Sequence, residues 1–170
     1  MIDINNNTAV VFPGQGSQVI GMGADLYEKS SIAKDIFDEV DETLGRKLTD
    51  IVFSGSQEVL NKTENAQPAI TATSLACFSV FKDKFKDFTP SVTAGHSLGE
   101  YTSLSASNAL SVSDTIRLVS ERGRLMQIAC DKNPGGMVAI IGMEIDVVEE
   151  VCREAGAYPS NINSSQQVII

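Results

Sequence analysis

Histidine is nearly absent: the sequence of 170 residues has one, His96, beside three cysteines and no Cys-x-x-Cys pair. A metal centre of the zinc kind needs imidazole and thiolate ligands at set spacings, so none is expected. The cysteines (Cys77, Cys130 and Cys152) are odd in number, far apart and each set in an apolar stretch. They read as buried free thiols rather than a disulfide framework. Positive charge is scarce as well. Thirteen Lys and Arg stand against 22 Asp and Glu, for a formal charge of −9. Without a basic stripe or arm, the electrostatic footprint of a nucleic-acid binder is missing. An acidic protein partner would have to dock on a local basic patch, because the overall field repels it. No apolar run reaches the roughly 20 residues of a membrane helix. The start, MIDINNNTAVVF, has neither the basic nor the apolar region of a secretory signal. The expected setting is the cytoplasm, with no membrane and no nucleic acid as partner.

What is present is the composition of a globular chain, 42% apolar and 21% charged. Thr8–Phe12 is a short apolar run stopped by Pro13-Gly14, and it reads as a buried strand entering a loop. Ser31–Leu44 carries Ile36, Phe37, Val40 and Leu44 at helical spacing and ends at Gly45. Pro68, at a tolerated first-turn position, opens a long helix through Ile70, Leu75, Phe78 and Phe81. Ser91–Ala94 is a second short strand. Another helix runs from Ser113 to about Cys130, with Ile116, Val119 and Met126 toward the core. Asn133-Pro134-Gly135-Gly136 breaks it, and a subdomain boundary is expected near Gly135. Beyond it, Met137–Ile141 reads as a strand. Asp146–Ala155 reads as a helix with Val147, Val148, Val151, Cys152 and Ala155 on one side, and Gln167–Ile170 as a strand. This is a β-α-β unit that stops within its last strand.

Three segments carry chemistry. Gly95-His96-Ser97-Leu98-Gly99 is a G-x-S-x-G between a strand and a helix. There a serine on a strained turn projects its oxygen above the sheet, and the glycines make room for the helix. The bare pattern arises by chance in about one chain in twenty of this length, and its placement between strand and helix lowers that weight. Acyl transfer at such a serine needs two N–H donors for the oxyanion. One would be Leu98. The other could come from Phe12-Pro13-Gly14-Gln15-Gly16-Ser17-Gln18, where the flanking glycines let the Gln15 N–H approach a ligand. An ordinary turn is the competing reading; a phosphate loop is disfavoured by the glycine spacing and the lack of a following lysine. Third, Gly123 lies within a predicted helix at a cost of about 1 kcal/mol against alanine, which suggests close packing. Its neighbour Arg122 could offer a bidentate fork to a carboxylate, or could be a solvated surface arginine.

FPGQGSQ at 12–18, NAQPA at 65–69, GHSLGEY at 95–101 and RGRLMQ at 122–127 together resemble malonyl-CoA:acyl carrier protein transacylases. They also resemble the acyltransferase domains of fatty acid and polyketide synthases. The motifs are co-linear and span nearly the whole chain. The resemblance implies an α/β fold: an incomplete α/β-hydrolase-like parallel-sheet core over 1–135, and over 136–170 the start of an inserted ferredoxin-like small subdomain. It implies Ser97 as the acylated nucleophile and the Gln15 and Leu98 N–H groups as oxyanion hole. Arg122 becomes the clamp for the malonyl carboxylate, Gln67 and Met126 line the acyl pocket, and His96 helps shape the site. Leu98 leans toward malonyl over bulkier branched groups. The substrates implied are malonyl-CoA and the phosphopantetheine thiol of acyl carrier protein, in fatty acid biosynthesis, with no metal or redox cofactor.

A serine nucleophile needs a base, which the resemblance places on a histidine well downstream. His96 is adjacent to Ser97, and consecutive side chains diverge at an elbow, so a packed, hydrogen-bonded His96 is expected instead. The chain is therefore expected to be incomplete: a fragment, one half of a split gene whose second chain supplies the rest, or a decayed frame. A serine esterase or thioesterase on the same elbow, and an inactive fragment that only binds CoA or carrier protein, are the alternative readings. A simple esterase has no use for a carboxylate clamp.

Overall fold

The computed structural model describes residues 8–170. In chain order these form β1 (Ala9–Phe12), α1 (Ala24–Lys29), α2 (Ser31–Leu44), α3 (Leu48–Ser54), α4 (Gln57–Asn61), α5 (Thr63–Lys84), β2 (Val92–Gly95), α6 (Gly99–Ala106) and α7 (Val112–Lys132). They continue as β3 (Ala139–Ile141), α8 (Ile145–Ala155), β4 (Asn161–Ser164) and β5 (Gln167–Ile169). The fold is mixed α/β in two compact units, one ending at Ala129 and the other spanning Cys130–Ile170.

In the first unit α2 keeps its predicted bounds. The Ser30 hydroxyl accepts the Ala33 N–H at 3.4 Å, and Gly45 closes the helix in the left-handed region at φ 62°. Ala33, Phe37 and Val40 form its buried stripe and join Leu48 and Val52 of α3 and Ala69, Ile70, Ala72 and Ala76 of α5 in one core. The buried Asp41 carboxylate takes the Thr49 N–H at 3.1 Å and the Thr49 hydroxyl at 2.6 Å, tying α2 to the start of α3. Helix α5 begins at Thr63, not at Pro68, so the proline lies inside it. Proline has no N–H for the carbonyl four residues back. That carbonyl belongs to Glu64, and it accepts instead from Arg46 Nη2 at 3.4 Å.

Strands β1 and β2 pair in parallel, with Ala9 opposite Val92 and Phe12 opposite Gly95. The expected buried β1 is only partly so. Phe12 is buried but Val11 is 73% exposed, and among the described residues the sheet has two strands, with one edge of β1 unpaired. The open side forms an apolar groove of about 790 Å³ along β1 and α5, lined by Val11, Phe12, Cys77, Phe78, Phe81 and Phe85 among others. Cys77 is thus exposed, as is Cys130; only Cys152 is buried, against the expectation for all three. Desolvation, with the nearby Asp25 charge second, pushes the Cys77 thiol above its ordinary range.

In the second unit β3, β5 and β4 form an antiparallel sheet in that order. The extra strand β4, Asn-Ile-Asn-Ser, is fully exposed and has no apolar alternation by which sequence could reveal it. Helix α8 buries Val148 and Cys152 against Val168. Val147 and Val151, expected on the same side, are 44% and 46% exposed. Among the described residues no helix is long and apolar enough to cross a membrane.

Candidate active site

The turn from β2 into α6 is Gly95-His96-Ser97-Leu98-Gly99. Ser97 sits at φ 51°, a left-handed backbone that L residues with a side chain avoid. The glycines on either side explain how the turn closes. A Cβ on Gly95 would run into the backbone of Gly99 and Glu100, and one on Gly99 into the Phe12 carbonyl and, at 2.9 Å, the Pro13 oxygen. The elbow therefore rests directly on the end of β1, and the His96 N–H donates to the Phe12 carbonyl at 3.2 Å. Ser97 is exposed while Leu98 is fully buried, so the side chain of Leu98 anchors the turn.

The 12–18 loop lies against this elbow. A Cβ on Gly14 would stand 2.7 Å from His96 Nδ1 and 3.0 Å from its carbonyl oxygen. The imidazole thus lies over the Gly14 backbone. It is exposed, against the expectation of a packed histidine. Gln18 stiffens the loop: its Oε1 accepts the Gly16 N–H at 2.9 Å and its Nε2 donates to Asn61 at 3.0 Å. Among the described residues neither the Gln15 N–H nor the Leu98 N–H donates to a protein acceptor.

Arg122, on α7, reaches across to the elbow. Its Nη2 donates to Ser97 Oγ at 2.9 Å and its Nη1 to Gln67 Oε1 at 2.5 Å. The Tyr101 ring lies 5.8 Å from the guanidinium carbon. Gln67 is fully buried on α5, and its Nε2 donates to Thr63 Oγ1 at 2.8 Å and contacts the Met126 sulfur at 3.2 Å. Thr63 Oγ1 in turn donates to Gln15 Oε1 at 2.9 Å. Gly123 lets α7 come this close, since its missing Cβ would lie 2.8 Å from the Thr63 carbonyl oxygen. Arginine is a donor only, so Ser97 Oγ must accept from it, and the serine proton is left for another acceptor.

Four of the residues named from sequence (Gln67, Ser97, Arg122 and Met126) are thus joined by direct contacts, and Gln15 is linked to them through Thr63. Leu98 and His96 belong to the same turn. Met126 is 39% exposed rather than core. Thr63 and Tyr101 were not singled out. Tyr101 stood inside GHSLGEY, one helical turn after Ser97. Thr63 precedes Gln67 by one turn, but a helix begun at Pro68 hides that relation.

Residues 9–170 match the model of the acyl transferase domain. The chain is 46% identical over 167 residues to the malonyl CoA-acyl carrier protein transacylase of Bacillus subtilis (strain 168), covering 95% of this chain and 52% of that protein. It superposes on the crystal structure of MCAT from Streptococcus pneumoniae with a TM-score of 0.85 at 38% identity, covering 96% of this chain and 54% of that one. It superposes equally, at 0.85 and 40% identity, on a malonyl-transacylase solved in complex with its holo type II PKS acyl-carrier protein, with coverage of 96% and 54%. The chain spans about half the length of the relatives it matches. A serine on a strained strand-to-helix turn, in a chain matched to that family from its first strand to its last residue, leaves one assignment: this chain belongs to the acyl transferase domain family.

Proposed function

We propose that this chain carries the nucleophile and the acid-binding half of a malonyl-CoA:acyl carrier protein transacylase of fatty acid biosynthesis. The observation that carries the reading is the Arg122 guanidinium, held 2.9 Å from Ser97 Oγ, where a substrate carboxylate two bonds from the reacting carbonyl would lie. A charge-assisted fork at that place selects an acyl group that ends in a carboxylate. Ser97 Oγ attacks the thioester carbon of malonyl-CoA, and its proton passes to a base. The C–S bond breaks and CoA leaves with that proton. The phosphopantetheine thiol of acyl carrier protein then attacks the Ser97 ester, and Ser97 regains its proton. The N–H groups of Gln15 and Leu98 stabilise the oxyanion in both steps. Protons and one acyl group are all that move, so no redox cofactor enters the balance.

The base is a histidine on the part of the relatives' length that this chain does not span, in the same polypeptide or in a second one. On this reading residues 1–135 belong to an α/β-hydrolase-like core, supported by the parallel β1–β2 pair and the elbow. Residues 136–170 begin a ferredoxin-like subdomain, supported by the antiparallel sheet and α8. A cytoplasmic setting belongs to this reading. Intact-mass measurement after incubation with malonyl-CoA, with the histidine-bearing part of a relative supplied, tests the reading. One malonyl adduct is expected on wild type and none on Ser97→Ala. An adduct retained on the alanine variant would place the nucleophile elsewhere.

A further inference from the structure

Hydrogen-bond polarity runs through the site in one direction only. Arg122 can only donate, so the Gln67 atom facing it is the amide oxygen. The Gln67 amide nitrogen then faces Thr63 Oγ1 and donates to it. Thr63 has one hydroxyl proton, and it goes to Gln15 Oε1. Thr63 is therefore the pivot between the loop that carries one proposed oxyanion donor and the glutamine that holds the proposed carboxylate clamp. The rest of Thr63 is pinned too: its N–H donates to Gln127 Oε1 at 3.3 Å, and its carbonyl abuts Gly123.

We propose that Thr63 is a positioning residue that, through its hydroxyl, fixes the Gln67 amide orientation and thereby holds Arg122 over Ser97. The proposal rests on the acyl-transfer reading. A valine there has the same shape but neither accepts nor donates. Gln67 Nε2 loses its acceptor, the amide is free to turn, and a turned amide would present N–H groups to a guanidinium that cannot accept them. Arg122 then loses its second anchor. Serine keeps the hydroxyl and with it the polarity.

The experiment uses the 170-residue chain with isotope-labelled arginine. In the wild type the Arg122 Nη atoms, each tied to a different acceptor, give separate NMR signals, which Arg122→Ala assigns by their loss. Thr63→Val is expected to merge them and Thr63→Ser to keep them apart. Thr63→Ala, which adds no volume, is the second variant should valine impair folding. Calorimetry with malonyl-CoA and acetyl-CoA is the companion measurement. Loss of one ordered anchor lowers the preference for malonyl-CoA over acetyl-CoA about tenfold in Thr63→Val, because the acetyl group has no carboxylate for Arg122 to hold. Separate Nη signals persisting in both the valine and alanine variants would overturn the positioning role. If Arg122→Ala itself keeps the preference for malonyl-CoA, the clamp reading fails, and the proposal with it. If Arg122→Ala removes the preference and the Thr63 variants do not, the clamp stands and only the role of Thr63 falls.

Discussion

Ser97 holds φ at 51°, and a Cβ in that region costs roughly 1–2 kcal/mol. The two ways of deleting its hydroxyl should therefore differ in stability although both abolish acylation. Ser97→Gly is expected to melt above Ser97→Ala by an amount corresponding to about 1 kcal/mol, measured by thermal unfolding of the two variants side by side. Equal melting temperatures would mean that the elbow relaxes once the hydroxyl is gone. At the same scale, Arg122→Ala in the complemented protein should cost about 1.5–3 kcal/mol of preference for malonyl-CoA over acetyl-CoA. Lysine should restore only part, since it brings a point charge without the fork. The ratio of kcat/KM values for the two thioesters reads this directly. Ser97, Gln15 and Arg122 stood out in the sequence because each sits beside glycines that have no other evident use. Thr63 did not, because a hydroxyl wedged between two glutamines leaves no periodic trace and its partner Gln15 is remote in sequence.

Among the elements, the approach of α7 to the start of α5 is an exacting contact between two helices. Replacing Gly123 by alanine should help α7 by about 1 kcal/mol in helix propensity. The new Cβ would, however, meet backbone, 2.8 Å from the Thr63 oxygen and 3.0 Å from Glu64 Cα, and backbone cannot swing aside. Overpacking of this kind costs about 1–3 kcal/mol, so the sum favours destabilisation, and Gly123→Ala should melt several degrees below wild type. A higher melting temperature would show that α7 can slide. The same contact explains what was legible of the helices. Amphipathic α2 announced itself from capping serine to closing glycine. Helix α5 did not, because its first half is buried all round and its proline suggested a start rather than an interior position. The Glu64 carbonyl that the proline leaves without an intrahelical donor is taken up by Arg46, a tertiary contact that the sequence does not announce. Likewise β4 has polar residues on both faces, and only pairing with β5 makes it a strand.

For the whole molecule, the groove along β1 and α5 governs behaviour in solution. Val11, which lines the groove with a row of phenylalanines, is 73% exposed, and Val92 of β2 is 54% exposed. Exposed apolar surface of this extent beside a two-stranded sheet favours association. The chain alone should elute above its monomer mass in size exclusion, and Val11→Lys should move it toward the monomer without lowering its melting temperature. Cys77 offers a second reporter on the same face. Its raised pKa makes the thiolate scarce at neutral pH, so alkylation should be slow there and quicken as pH rises. Covering the groove should protect it at every pH. On the proposed reading, malonyl transfer by the chain alone should fall several powers of ten below that of the complemented protein, because a serine nucleophile deprived of its base retains little rate. The elbow, finally, limits what inheritance can do with this half of the fold. Every missense change at a glycine codon adds a Cβ, and at Gly95 and Gly99 any Cβ meets main chain. Neither codon has a neutral missense neighbour, whereas a side chain at Gly16 or Gly21 meets open space and only the strain of a positive φ. A single missense change at either codon would thus cost the turn that carries Ser97, while most surface changes would leave it intact.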